Sequence, residues 1–358
     1  MKERNLLFRA GPLALKHIRE KGLSPDDVTG IAGAAGGPKW LVLNGLDHAL
    51  FGEWFSRRTK DLHMVGSSIG SWRFAALASG EGMSRYESFK EAYISQHYEK
   101  RPIPKDVTDE SYRIMDTFLG SNGIRNILSH PFMRIVILSV RSRYLLSSDR
   151  ALTLGAGLGI AALANALSRR SLRLFFERTL FHDSRISSGI VENHALHGKR
   201  VPLNIQNFRS ALMSSGSIPM VMSGISDIPG APHGTYRDGG LVDYHLDIPF
   251  DNDRTGLVIY PHYANRIIPG WFDKKIRSRK IDPSNYESVL VLSPSEGFLS
   301  GLPYGRIPDR NDFYRFHGRD RDRISFWNKT VEKSKMLGDD FLEAVETGNI
   351  SSLVQPLY

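Results

Sequence analysis

The sequence predicts an α/β fold on a mostly parallel sheet, and three observations carry that prediction. Short, uncharged, β-rich runs alternate with helical stretches through the first eighty residues. Two more such runs return near residues 257 and 288. Glycine-rich turns stand where strands pass into helices. Strand, helix, strand in succession implies parallel pairing through crossover helices.

Val28–Ala32 reads as the first strand of this pattern, and Pro38–Phe55 as a helix carrying Trp40, Leu41, Leu43, Leu46 and Leu50. Leu62–Val65 is a second strand and Ser71–Ala78 a second helix. Ala151–Leu167 carries no charged residue, but it is mostly Ala and Gly, with Thr153 and Asn165 inside it. A membrane span needs about 20 strongly apolar residues, so a buried helix is expected here. An interfacial or lid segment is the other reading, because Arg169, Arg170, Arg173 and Arg178 then mix with Leu172, Leu174, Phe175 and Phe176. The same mixture suits a solvated helix face. Leu257–Tyr260 and Ser288–Leu292 read as buried strands. The Arg- and Asp-dense stretch 306–323 is expected on the surface. A closing helix follows, with Ile324, Trp327, Val331, Leu337, Phe341, Leu342 and Val345 at helical spacing.

The 358 residues are 41% hydrophobic and 24% charged, ordinary values for a globular chain. The absence of cysteine excludes disulfides, thiolate metal sites and a cysteine nucleophile. The net charge of +9 fits either an ordinary basic surface or one that meets anions. No RNP-like motif, Cys/His module or helix-turn-helix pattern is present, so nucleic acid is not an expected partner. Leu6-Leu7-Phe8 is too short for a signal-peptide core, and the expected location is cytoplasmic.

Three motifs carry chemistry. Gly66-Ser67-Ser68-Ile69-Gly70 is a G-x-S-x-G between a strand and a helix, the context in which Ser68 becomes an exposed nucleophile at a helix N-terminus. An incidental Gly/Ser turn reads equally well from this motif alone. Gly30-Ile31-Ala32-Gly33-Ala34-Ala35-Gly36-Gly37-Pro38-Lys39-Trp40 is a second strand-to-helix loop, whose backbone N–H groups suit an oxyanion or phosphate. Lys39 is followed by Trp40, so this is no Walker A loop, and the glycine spacing is wrong for a dinucleotide fingerprint. Arg237-Asp238-Gly239-Gly240 by itself is a turn. Histidines 233, 245 and 262 lie near Asp238, Asp243 and Asp247, but their spacing fits no metal-ligand pattern, so no metal is expected.

Taken in order, these motifs resemble the patatin-like phospholipase family. That family has a glycine-rich oxyanion loop G-G-G-x-[RK]-G, then a G-x-S-x-G elbow, then D-G-[GA]. Here Gly36, Gly37 and Lys39 match the loop; Ala35 stands where its first glycine is usual and Trp40 where its last is. Gly66, Ser68 and Gly70 match the elbow, and Asp238, Gly239 and Gly240 the third motif. Ala211–Pro219 and Asp243–Pro249 resemble the blocks flanking that Asp. The resemblance covers about residues 25–295.

The resemblance implies a three-layer α/β/α sandwich with a helical insertion over the site at about 90–200. It implies one acyl hydrolase domain over 1–300; residues 301–358 match nothing in the family and read, from their charges and apolar spacing, as a surface segment and helix packed on that domain. It also implies a lipid acyl hydrolase, without cofactor, that cleaves esters of phospholipids or related acyl lipids. Ser68 would be nucleophile and Asp238 base, with Gly36 and Gly37 as oxyanion donors and Lys39, Gly66, Gly70, Gly239 and Gly240 in support. Thioester or polyester hydrolysis and acyl transfer on the same dyad are alternatives. So is a non-catalytic lipid-binding protein of the same fold. The basic and apolar patches offer peripheral contact with a membrane.

Overall fold

A computed structural model describes residues 4–80, 82–186, 198–250 and 256–358. Its strands are β1 (Leu6–Ala10), β2 (Val28–Gly33), β3 (Leu62–Ser67), β4 (Met133–Ser142), β5 (Phe176–His182), β6 (Lys199–Pro202), β7 (Ile225–Ser226), β8 (Thr235–Asp238), β9 (Leu257–Pro261), β10 (Val289–Pro294) and β11 (Gln355–Pro356). They form one sheet in the order β11-β1-β10-β9-β2-β3-β4-β5-β6, with β8 on β4 and β7 on β8. The centre, β10-β9-β2-β3-β4, is wholly parallel. Antiparallel pairing is confined to the flanks, at β1/β10, β4/β5, β4/β8 and β7/β8.

Among the described residues the α-helices are α1 (Pro12–Lys21), α2 (Asn44–Asp47), α3 (Ile69–Ala78), α4 (Ser84–Ser95), α5 (Pro104–Leu119), α6 (Gly123–Ser129), α7 (Ala151–Leu167), α8 (Leu172–Phe175), α9 (Phe208–Gly216), α10 (Glu296–Ser300), α11 (Asp312–Arg315), α12 (Asp320–Glu346) and α13 (Ile350–Leu353). With the sheet they make a three-layer α/β/α fold, as the sequence predicts. The chain leaves β2 toward β3 and β4, then returns on the other side through β9 and β10. The carboxyl ends of strands beside such a reversal are where open α/β sheets bind ligands. Both the glycine-rich loop and the G-x-S-x-G follow strands at that end.

One pairing pattern decides where the site forms. β3 lies along one edge of β4, from Leu62 opposite Met133 to Ser67 opposite Leu138. β5 takes the other edge over Val136–Ser142. β8 runs antiparallel on Ser139–Ser142 and therefore occupies the same edge as β3, with Asp238 opposite Ser139. The carboxyl ends of β3 and β8 thus meet head-on beside Leu138 and Ser139.

Four expectations need correction. The helix expected over Pro38–Phe55 is three unlike pieces, a 3₁₀ segment Gly37–Leu43, one α turn in α2 and a π segment His48–Trp54. The Gly45 N–H donates to Ser334 Oγ of α12 at 2.9 Å, which takes a donor out of the helical ladder. The expected helical insertion at 90–200 contains two strands of the sheet, β4, rich in β-branched residues at Ile135, Val136, Ile137 and Val140, and β5; residues 187–197 of that stretch lie outside the described residues. The 306–323 stretch is not all surface. Asp312 and Arg323 are fully buried. Asp312 accepts from Arg306 at 2.7 Å, the Asp309 N–H at 2.9 Å and Trp327 Nε1 at 3.1 Å, partners that make the burial of its charge tolerable. Finally, α7 is not buried. Only Leu154, Gly157, Ala161 and Asn165 face inward.

The C-terminal segment is built into the fold. Asp340 of α12 accepts the N–H groups of Asn5 and Leu6 at 2.8 and 3.0 Å, and β11 pairs with β1.

Candidate active site

Ser68 follows β3 and precedes α3, with φ 55° and ψ −128°. A non-glycine residue held there costs on the order of 1–3 kcal/mol and persists only if its surroundings over-determine it. They do. A Cβ on Gly66 would lie 2.5 Å from Ser71 N, and one on Gly70 would lie 2.0 Å from Gly33 O. The tight turn therefore needs both motif glycines, and the contact at Gly70 pulls α3 against the end of β2. The Ser68 N–H donates to Ser215 Oγ at 2.9 Å, and Ser215 in turn donates to Leu138 O at 2.6 Å. Behind the elbow, α3 is locked by Arg73, which is fully buried and paired with buried Asp47 at 2.8 Å.

The Ser68 hydroxyl donates to Asp238 Oδ2 at 2.6 Å. The other carboxylate oxygen, Oδ1, accepts the Gly240 N–H at 2.6 Å. The two glycines after Asp238 have separate reasons. A Cβ on Gly239 would lie 2.3 Å from Leu138 O, and one on Gly240 would lie 2.8 Å from Asp238 Oδ1. Burial pushes the Asp238 carboxyl up to about 6, against the opposing pull of the Ser68 and Gly240 hydrogen bonds and the charges of Arg310 and Lys274. Asp238 is thus a stronger base than an ordinary carboxylate.

Gly36 and Gly37 sit in the same cavity as Ser68 and Asp238. Gly37 has φ 57°, and a Cβ on Gly36 would lie 2.7 Å from the Tyr263 ring. The loop is pinned on both sides of its chain. Tyr263 donates to Ala35 O at 2.6 Å, and the Ala35 N–H donates to Tyr244 O at 2.9 Å. Ala35 at the usual glycine position is accommodated, buried beside Gly240. Lys39 lines the cavity as well, 3.8 Å from Asp309.

Ser68 lies between two cavities. One, of about 170 Å³, has a mixed lining in which Lys39, Lys274 and Arg310 stand beside Asp238 and Asp309. Their field is felt by Tyr244: burial opposes ionisation of its phenol, yet Lys39 and Lys274 draw it below the ordinary value. The other cavity, of about 460 Å³, is mainly apolar, with Ile69, Trp72, Val107, Ile114, Val221 and Met222 in its wall.

None of His233, His245 and His262 bonds the Ser68–Asp238 pair. His245 and His262 are buried. His245 accepts the Ile268 N–H at 2.9 Å and bonds Tyr263 at 2.7 Å, and burial holds its imidazole well below the usual range. His233 is exposed beside Asp227. Among the described residues no group of three or more histidines and carboxylates is arranged to hold a metal ion.

Sequence reasoning missed Ser215, Lys274 and Arg310. Ser215 stands inside the small-residue block Ala211–Pro219, where only its company marked it. Lys274 and Arg310 are single cations in charge-rich stretches and carry no local signal.

No family model and no curated protein matches the chain. Among solved structures, VipD from Legionella pneumophila aligns with 93% of this chain and 70% of its own, at 11% identity and a TM-score of 0.32.

Proposed function

We propose that this chain is a serine acyl hydrolase that cleaves the carboxylic ester of an acyl lipid carrying an anionic group, such as a phospholipid. The observation that carries the proposal is the 2.6 Å hydrogen bond from Ser68, on its strained elbow, to a buried carboxylate of raised basicity. In this reading Asp238 takes the hydroxyl proton as Ser68 Oγ attacks the ester carbonyl carbon. The carbonyl oxygen becomes an oxyanion and is met by the Gly36 and Gly37 N–H groups; a lost donor of this kind costs about 3–4 kcal/mol of barrier. Collapse breaks the ester bond, and the leaving alcohol takes the proton back from Asp238. Water, deprotonated by Asp238, then attacks the acyl-serine, and the proton returns to Ser68 as the fatty acid leaves.

Two features support a lipid substrate. The larger cavity beside Ser68 is mainly apolar, as an acyl chain requires, and the smaller holds Lys39, Lys274 and Arg310 against two aspartates, cations that a phosphate requires. The test is labelling with a fluorophosphonate probe and hydrolysis of a short-chain nitrophenyl ester. Wild type is expected to react in both assays, and Ser68→Ala in neither, with turnover down at least about 10³-fold. Labelling of another serine, or none at all, would sink the proposal.

A further inference from the structure

Helix α7 has an outward face unlike that of a surface helix. Its inner side packs through Leu154, Gly157, Ala161 and Asn165, and Gly157 lets it lie close on Leu145 and Leu146. The opposite side normally carries charged residues. Here it presents Leu152 at 91% exposure, Leu163 at 73% and Leu167 at 91%, with Ile160 also exposed. Tyr144 and Leu174 extend the patch at either end of the helix. An exposed apolar patch of this extent marks a contact surface. Among the described residues no helix is long and apolar enough to cross a membrane, so α7 is suited to lie on a surface.

The rim of the patch is cationic. Arg150 precedes α7, and the exposed Arg170 and Arg173 follow it. Of the nearby acids, Asp149 pairs with Arg237 and Glu177 with Arg141 and Arg143, while Asp247 and Asp282 line a cavity together with Arg170 and Arg173. Apolar side chains framed by exposed arginines complement a sheet of hydrocarbon under anionic headgroups. The inner side of the helix connects to the site. Asn165 of α7 donates to Asp273 at 2.9 Å, and Trp271, two residues before Asp273, lines the cavity of Ser68 and Asp238.

We infer that α7 is a membrane-docking helix that seats the protein on an anionic bilayer, with its leucines in the interface and Arg150, Arg170 and Arg173 at the headgroups. Docking stands whether or not Ser68 is a nucleophile; its use, bringing the cavity mouth to lipid, rests on the hydrolase reading. The test is co-sedimentation of the full chain with vesicles of equal phosphatidylglycerol and phosphatidylcholine, and with phosphatidylcholine alone. Wild type is expected to bind the anionic vesicles more tightly, and less so as salt rises. Leu152→Glu/Leu163→Glu/Leu167→Glu is expected to lose binding at least about 10-fold. Arg170→Ala/Arg173→Ala is expected to lose about 5-fold per arginine on anionic vesicles alone. Ser68→Ala is expected to bind as wild type, and the leucine variant to hydrolyse a soluble ester as wild type, so that failure of docking and failure of the hydrolase reading are told apart. Wild type that ignores both vesicles would overturn the inference. So would a leucine variant that binds unchanged, or one that alters only the oligomeric state in light scattering, which assigns the patch to a second copy of the chain.

Discussion

Asp238 holds two opposing demands in one side chain. Its charge must exist for it to accept a proton, yet its burial resists that charge. Above the ordinary carboxylate range and up to about 6, the folded chain keeps a proton that the unfolded chain has lost. Stability from this group is therefore present at low pH and is lost as pH rises through about 6. Ionised Asp238 costs on the order of 3 kcal/mol at neutral pH. Asp238→Asn is expected to raise the melting temperature at pH 7 and above, with the gain vanishing toward pH 4, while abolishing ester hydrolysis. In wild type the acid limb of kcat/KM is expected near pH 6. A limb near pH 4, with Asp238→Asn less stable at every pH, would show that hydrogen bonding outweighs burial. At this scale the sequence was legible where the constraint is local. A side chain at Gly66, Gly70, Gly239 or Gly240 would strike atoms of its own turn or of the strand beside it, and so the motif survives in the letters. Ser215, Lys274 and Arg310 matter through partners far away in the chain, and nothing near them in sequence shows it.

The helices fix the site from behind. α12 crosses the Gly37–Trp54 segment at two glycines: a Cβ on Gly45 would lie 2.0 Å from Ser334 O, and one on Gly338 would lie 2.4 Å from Gly45 O. Backbone meets backbone there, and no side chain can yield. Gly45→Ala is expected to cost about 1–3 kcal/mol by forcing the helices apart, read as a lower midpoint in urea denaturation at unchanged slope. An unchanged midpoint would mean that the crossing adjusts freely. The parallel centre of the sheet was legible from uncharged β-rich runs at β2, β3, β9 and β10. β4 was not, although Ile135-Val136-Ile137-Leu138 is as apolar as any of them. A short apolar run fits a buried helix as well as a buried strand, and only pairing with β3, β5 and β8 decides it. The 3₁₀ and π turns around α2 were equally hidden, since the hydroxyl that takes the Gly45 N–H lies on α12, 289 residues further along.

Across the whole molecule, the ends of the chain close on each other. Asp340 caps the first strand, β11 pairs beside it, and Arg310 reaches the cavity of Ser68. The last fifty residues therefore complete the body of the protein. Truncation after Gly305 is expected to give an insoluble or unfolded chain with no fluorophosphonate labelling, as judged by circular dichroism and the probe. A folded, reactive product would make this segment an accessory.

The meeting of β3 and β8 on one edge of β4 sets a condition on when the chain can become reactive. Ser68 comes early in synthesis and Asp238 much later, and the strands that carry them anneal to the same ten-residue strand. Slippage of β8 by a single position would carry the carboxylate about 3.4 Å along and turn it to the opposite side of the sheet. A half-made or misregistered chain holds a hydroxyl and a carboxylate that never touch. On the hydrolase reading proposed above, attack on an ester is thereby withheld until both halves of the polypeptide have found their seats.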